Sequence, residues 1–398
     1  MNSHKLLLST LSFGVVFTSG LFASPFASIG DIADVYFTGS SSARWTSNVF
    51  RDEVDEMEDL IVTVTPGVEV NIGRGLSNLD LTFISSYDFA TYTENDDLDV
   101  EMFHFRGLAA YRSSRWDVNG SFSFDEQQSA TGEANVVSDL IETEDLKAKI
   151  NGEYRYSPKF SFGSGFAYET KDYIEPANQF ANYDNTSLPF DLFYKWTPKL
   201  DLSFGYKYAI REVDSYDRVP NDPANGLVEG YETKSHFYNM GVRGVILPKL
   251  TGYFKVGYST RDSDSSNGVN RGKTGTLGLD ADLSWAATQK LTNYFKLSRD
   301  FGVSGEGNVT EVTTFNASSR YLLNTYWSIN PNLGYTLRSY KDSRGREDKQ
   351  YSAGVNANYL LNQYWSFTGG YNYSENDSSE SGNSFTDHLF TVSASLRY

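Results

Sequence analysis

The sequence predicts an all-β protein: a transmembrane, antiparallel, up-and-down β-barrel of about 18 strands, with 16 as the alternative. Three observations lead there. Apolar and polar residues alternate at period two over segments of about 10–14 residues, roughly twice the length of an average soluble strand. Short turns and longer acidic loops take turns along the chain to its end. Five of the six tryptophans fall beside the short turns.

The amino terminus comes first. Leu6 to Phe22 is an almost unbroken apolar run behind Lys5, and small residues follow at Ala23, Ser24, Ala27 and Ser28. This reads as a secretory signal peptide over residues 1–27, cleaved between 23 and 30. The alternative, a membrane anchor, is disfavoured by the Ser, Thr and Gly within the run and by the lack of a positive stop-transfer cluster. No Cys follows, which excludes a lipoprotein. A periplasmic segment is expected over 28–41 and the barrel over 42–398.

The strands follow. Leu200 to Arg211 places Leu200, Leu202, Phe204, Tyr206, Tyr208 and Ile210 on one face, against Asp201, Ser203, Gly205, Lys207, Ala209 and Arg211 on the other. Segments from Phe160 and Trp327, and the one ending at Trp285, behave alike. A soluble β-sandwich also alternates, but its strands average about 5–6 residues. A tilted membrane-spanning strand needs about 9–11. Trp116, Trp196, Trp285, Trp327 and Trp365 all fall at the turn-side ends of apolar faces, where an aromatic girdle meets lipid headgroups.

Counting connections gives the strand number. Long polar loops are expected near 52–58, 93–98, 127–143, 173–186, 213–228, 262–272, 303–310, 341–349 and 376–385. Short turns are expected near 73–78, 113–115, 157–159, 197–199, 247–249, 287–290, 324–326 and 361–364. Eighteen strands result if the first runs roughly over 42–50. In the last segment Phe390, Val392, Leu396 and Tyr398 share the apolar face, a pattern like the C-terminal signal read by the barrel-assembly machinery.

Composition excludes much else. The 398 residues hold no Cys, with 28 Tyr, 27 Phe and 6 Trp, and the net charge is −17. Disulfide scaffolds, thiolate zinc, iron–sulfur clusters and cysteine nucleophiles are ruled out. A mean hydropathy of −0.45 excludes a bundle of transmembrane helices. The acidic balance argues against nucleic acid as a partner. His104, His236 and His388 are isolated and no hydrolase or nucleotide-binding motif occurs, so neither enzyme activity nor a cofactor or metal is expected.

The lumen face carries the chemistry. Lys147, Lys149, Arg155, Lys195, Lys207, Arg211, Arg243, Lys255 and Arg261 project inward on consecutive strands. Glu69, Asp80, Asp88, Asp117 and Asp125 project inward before them, and Asp280 and Asp282 after. Opposed basic and acidic walls would set a transverse field across a wet channel. The alternative is a self-neutralising polar lumen, with pairs such as Lys147–Glu153. Inward Phe193, Phe237 and Tyr294 would narrow it. The acidic outer loops read as solubility, or as divalent-cation sites bridging lipopolysaccharide.

Asn48-Val49-Phe50 ahead of an acidic stretch, Val62 to Val68, the repeated Pro-Lys-Leu-type turns and strands such as Leu202 to Tyr206 resemble the family Putative beta-barrel porin 2. That resemblance spans nearly the whole mature chain. It implies an outer-membrane barrel, in some members linked to exopolysaccharide export, with export components as partners; it carries no functional residue set. Two functions stay open: a channel for polar solutes or secreted polysaccharide, and a structural or surface-interaction barrel with a closed lumen.

Overall fold

A computed structural model describes residues 24–398 apart from 74, 76, 131–139, 176–179, 218–226, 266–269, 305–308 and 342–344. The expected signal peptide lies largely outside the described residues. Among them no helix is long and apolar enough to cross a membrane; the crossings are strands.

The barrel strands run β1 (Ala33–Thr46), β2 (Asp59–Ile72), β3 (Leu79–Tyr92), β4 (Val100–Arg112), β5 (Trp116–Ser129) and β6 (Ile141–Arg155). Then come β7 (Phe160–Glu175), β8 (Tyr183–Thr197), β9 (Leu200–Val213), β10 (Tyr231–Leu247), β11 (Leu250–Ser265) and β12 (Asn270–Trp285). The last six are β13 (Leu291–Val303), β14 (Val309–Leu322), β15 (Trp327–Tyr340), β16 (Glu347–Leu360), β17 (Trp365–Ser378) and β18 (Phe385–Arg397). Each pairs antiparallel with its sequence neighbours, and β1 pairs with β18, so the sheet closes on itself. Closure removes the unpaired edges that would otherwise face hydrocarbon.

The first strand corrects the sequence reading. It spans Ala33–Thr46 and not roughly 42–50, so residues 33–41 belong to the wall and not to a periplasmic segment. The small outward residues Gly39, Ser41 and Ala43 blur its alternation; Val35, Phe37 and Trp45 lie on the same face. Ser47 to Phe50, although apolar at its end, leaves the sheet: Val49 and Phe50 are buried in the mouth of the barrel.

Alternation sorts the wall into two faces. Outward residues such as Phe162, Phe190, Phe204, Tyr238, Met240 and Tyr258 are exposed and apolar, and they line a groove of about 960 Å³ on the outer surface. Short turns gather at one end. In the turn between β10 and β11, Lys249 holds a left-handed φ of 68°. Just above it Gly244 (φ 115°) and Gly252 (φ 139°) face each other across the same hairpin. Any side chain there would meet a neighbouring carbonyl, of Lys199 or Asp282 respectively, so only glycine lets the strands bend at this point. Trp116, Trp196, Trp285, Trp327 and Trp365 sit on the outward face at this end, all exposed.

Candidate functional site

The lumen is the candidate site. Strand register places all nine basic side chains from Lys147 to Arg261 on the inward face, together with Glu69, Asp80, Asp88, Asp117, Asp125, Asp280 and Asp282. The separation of sign by wall is incomplete. Asp145, Glu153, Glu169, Asp191 and Asp201 also face inward, among the bases on the same strands.

Most of these charges are engaged. Arg243 binds Glu153 through both terminal nitrogens (2.8 and 2.7 Å), Asp201 through Nε (3.0 Å), and lies over the Phe193 ring at 3.3 Å. Lys255 meets Asp191 at 2.8 Å, and Lys207 meets Asp300 at 2.9 Å, where Ser259 also donates. Lys147 pairs with Asp145 and Glu169, and not with Glu153, which Arg243 takes instead. Arg155 reaches Asp117 at 3.6 Å. Asp280 accepts from the Tyr253 hydroxyl, and Asp80 from the Gly75 amide. Arg211 stacks on Tyr183, and Arg261 bonds Ser263 beside Phe301. His104 bridges Asp88 and Asp125 through its two ring nitrogens. Arg397 forks onto Glu69 over the Tyr36 ring.

These contacts measure the wall's curvature. Glu153 lies on β6 and Arg243 on β10. Four strand steps on a flat sheet are about 19 Å, beyond the reach of the two side chains, so the wall folds sharply towards the lumen there. Lys255–Asp191 closes three steps and Lys207–Asp300 four. Phe193 and Phe237, each 7% exposed, lie flat against the wall under Arg243 and Lys207, beside Gly163 and Gly278, and do not project into the lumen.

The long-loop end is built differently. Residues 47–58 fold back into the mouth. Val49 and Phe50 join Ile61, Ala90, Tyr92, Leu98, Ala130 and Leu140 in an apolar cluster. Asn48 anchors the segment, donating to the Asp52 and Thr386 carbonyls and accepting from the Asp52 amide. A second cluster of Ala181, Val213, Tyr216 and Tyr231 packs at the same end. Beside the folded segment remains a throat cavity of about 320 Å³. Its wall includes Arg51, Lys171, Arg338, Asp348, Gln350 and Asn376.

The lumen face follows from the period-two alternation of the sequence, whereas the throat does not. Asp300, Asp191, Asp201 and Lys171 were readable from the same period-two register. Arg51 was not, because nothing in an acidic loop signals that it turns inward.

The model of the family described as Putative outer membrane beta-barrel porin, MtrB/PioB matches residues 77–300, more than half the chain. The chain belongs to this family of outer-membrane β-barrel porins. The Putative beta-barrel porin 2 model, the resemblance seen in the sequence, matches residues 226–398. The porin is therefore an integral protein of the outer membrane. No curated protein sequence matches it.

Among solved structures, the unliganded ferric citrate transporter FecA is similar at TM-score 0.48 and 10% identity, over 88% of this chain and 60% of its own. The FrpB iron transporter of Neisseria meningitidis (F5-1 variant, apoprotein form) is similar at 0.48 and 8%, over 86% and 61%. The porin thus spans about three fifths of these two transporters. OpdK of Pseudomonas aeruginosa is similar at 0.44 and 10%, over 92% of this chain and 99% of its own.

Proposed function

We propose that this porin is a channel passing polar solutes or a secreted polysaccharide across the outer membrane. The observation that carries the reading is the division of the wall. The outward face is an apolar band, whereas the inward face carries charged, amide and hydroxyl groups on strand after strand. A wall of that kind lowers the cost of water and polar solutes inside the barrel, and its fixed charges sort ions by sign. The polysaccharide half of the proposal rests on the family resemblance. In the same reading Phe390, Val392, Leu396 and Tyr398 present the last strand to the barrel-assembly machinery, lipid and lipopolysaccharide surround the outward face, and export components are partners.

A second reading, a structural or surface-interaction barrel with a closed lumen, is favoured by the inward-folded segment 47–58 and by ion pairs between strands three and four apart. Reconstitution into planar bilayers separates the two. The channel predicts discrete conductance steps; purified, folded protein that carries no current overturns it. Charge reversal of Lys207, Arg211, Lys255 and Arg261 to Glu is expected to move ion selectivity towards cations. Unchanged selectivity would reduce those side chains to a structural role. For polysaccharide, a deletion strain that secretes its polymer normally would argue against export.

A further inference from the structure

The throat cavity gathers cations from three separate parts of the fold. Arg51 comes from the inward-folded segment, Lys171 from β7 and Arg338 from β15. The lining carboxylate, Asp348, is already held by Arg346 through Nε and a terminal nitrogen, at 2.8 Å each. Lys171 is 3.4 Å from Asp145, which it shares with Lys147; Lys147 in turn also reaches Glu169 at 3.6 Å. Arg51 binds the Ala130 carbonyl and lies over the Phe385 ring at 5.3 Å; among the described residues no carboxylate pairs with it. Lys171 lies over Tyr173 at 5.6 Å. Cation–π contacts of this kind fix a charged head in place while leaving much of its charge unneutralised. Burial holds the Arg51 guanidinium below its ordinary value, with Asp387 acting in the opposite sense. The backbone supports the same placement: Arg51 has a φ of 57°, a left-handed conformation that a non-glycine residue keeps only when its surroundings impose it.

The rest of the lining suits hydroxyl groups. Gln350 and Thr143 offer amide and hydroxyl donors and acceptors, and Asn376, whose amide nitrogen already donates to the Asn383 carbonyl, adds its amide oxygen. At about 320 Å³ the cavity lies at the small end of ligand sites, which run from about 300 to 1,000 Å³.

We propose that this throat binds a hydroxyl-rich carboxylate of monosaccharide size, a sugar acid, with Arg51 and Lys171 gripping the carboxylate. Arginine and lysine are the side chains that recognise carboxylates by charge-assisted hydrogen bonds. The amides distinguish a sugar acid from a bare inorganic anion. The proposal names a ligand class for the channel reading above, and rests on that reading only for how the ligand reaches the throat.

Calorimetric titration of the folded porin in detergent micelles tests it without requiring conduction. The probes are glucuronate, tri-galacturonate and glucose. Glucuronate is expected to bind at least about tenfold more tightly than glucose, since a charge-assisted contact is worth about 1.5–3 kcal/mol. In the Arg51→Gln/Lys171→Gln variant, checked for folding by heat-modifiable migration, that preference is expected to fall about tenfold or more. If the double variant does not fold, Arg51→Gln alone, outside the barrel wall, makes the same test. Tri-galacturonate binding as tightly as glucuronate assigns the site to a polymer unit; binding of glucuronate alone assigns it to a free sugar acid. Equal affinity for glucose, no binding of either acid, or an undiminished preference in the folded variant overturns the proposal. Binding without bilayer current would overturn the channel and leave the throat site standing.

Discussion

At the scale of single residues, the lumen is held by charges that satisfy one another across the wall. Arg243 is the clearest case, with three hydrogen bonds to two carboxylates and an aromatic ring beneath it. Arg243→Ala strands Glu153 and Asp201 beside each other. Since the arginine side chain is 30% exposed, water softens the loss, and a destabilisation of about 1–3 kcal/mol is expected, read from urea unfolding in micelles. Adding Glu153→Gln and Asp201→Asn removes the stranded charges and should recover much of that loss. A triple variant no more stable than Arg243→Ala would mean that packing against Phe193 dominates. Register fixes the face that Arg243 takes. It does not choose Glu153 as the partner. That choice depends on how sharply four strands bend, and bending is set by tertiary packing that alternation does not encode.

At the scale of elements, strands and turns were legible and the mouth was not. The eight short turns fall at or within a residue or two of where Pro, Asn and small polar residues announced them. The first strand was misplaced because an outward face of Gly39, Ser41 and Ala43 carries little hydrophobic signal, while Val49 and Phe50 carry a strong one for a different purpose. Burying that pair offsets the entropy of ordering residues 47–58. Phe50→Asp should release the segment: amides of 49–57 exchange faster with deuterium, and any single-channel current rises. Unchanged exchange would show that Asn48 alone holds the loop. A second device sits at the next connection. Asp59, fully buried, accepts from the Thr93 amide and hydroxyl, the Glu94 amide, and the Asn95 amide and side chain. Asp59→Ala removes all five bonds to that loop. Loss of amide protection at 93–95, with β2 and β3 unchanged, is the expected hydrogen-exchange result.

At the scale of the whole molecule, the claim that everything else depends on is closure: β1, beginning at Ala33, zips to β18. Eighteen strands follow only if that seam exists and has its observed register. The chain makes the test clean, because it contains no cysteine. Phe37 and Tyr398 exchange both backbone hydrogen bonds, so 37–398 is a hydrogen-bonded pair. Pairs alternate along an antiparallel seam, which makes Ser42–Ser393 and Ser40–Ser395 the non-hydrogen-bonded pairs. In such pairs the Cα atoms are about 4.5 Å apart, within the range a disulfide spans. Ser42→Cys with Ser393→Cys is therefore expected to oxidise to an intramolecular bond in the folded porin and to change its mobility on a denaturing gel. The diagonal combination, Ser42→Cys with Ser395→Cys, should link poorly, since diagonal neighbours lie about 7–8 Å apart. Equal linkage of both combinations would mean a seam that slips in register. Linkage of neither, in protein that is otherwise folded, would mean that the barrel does not close between these strands and that the strand count is wrong.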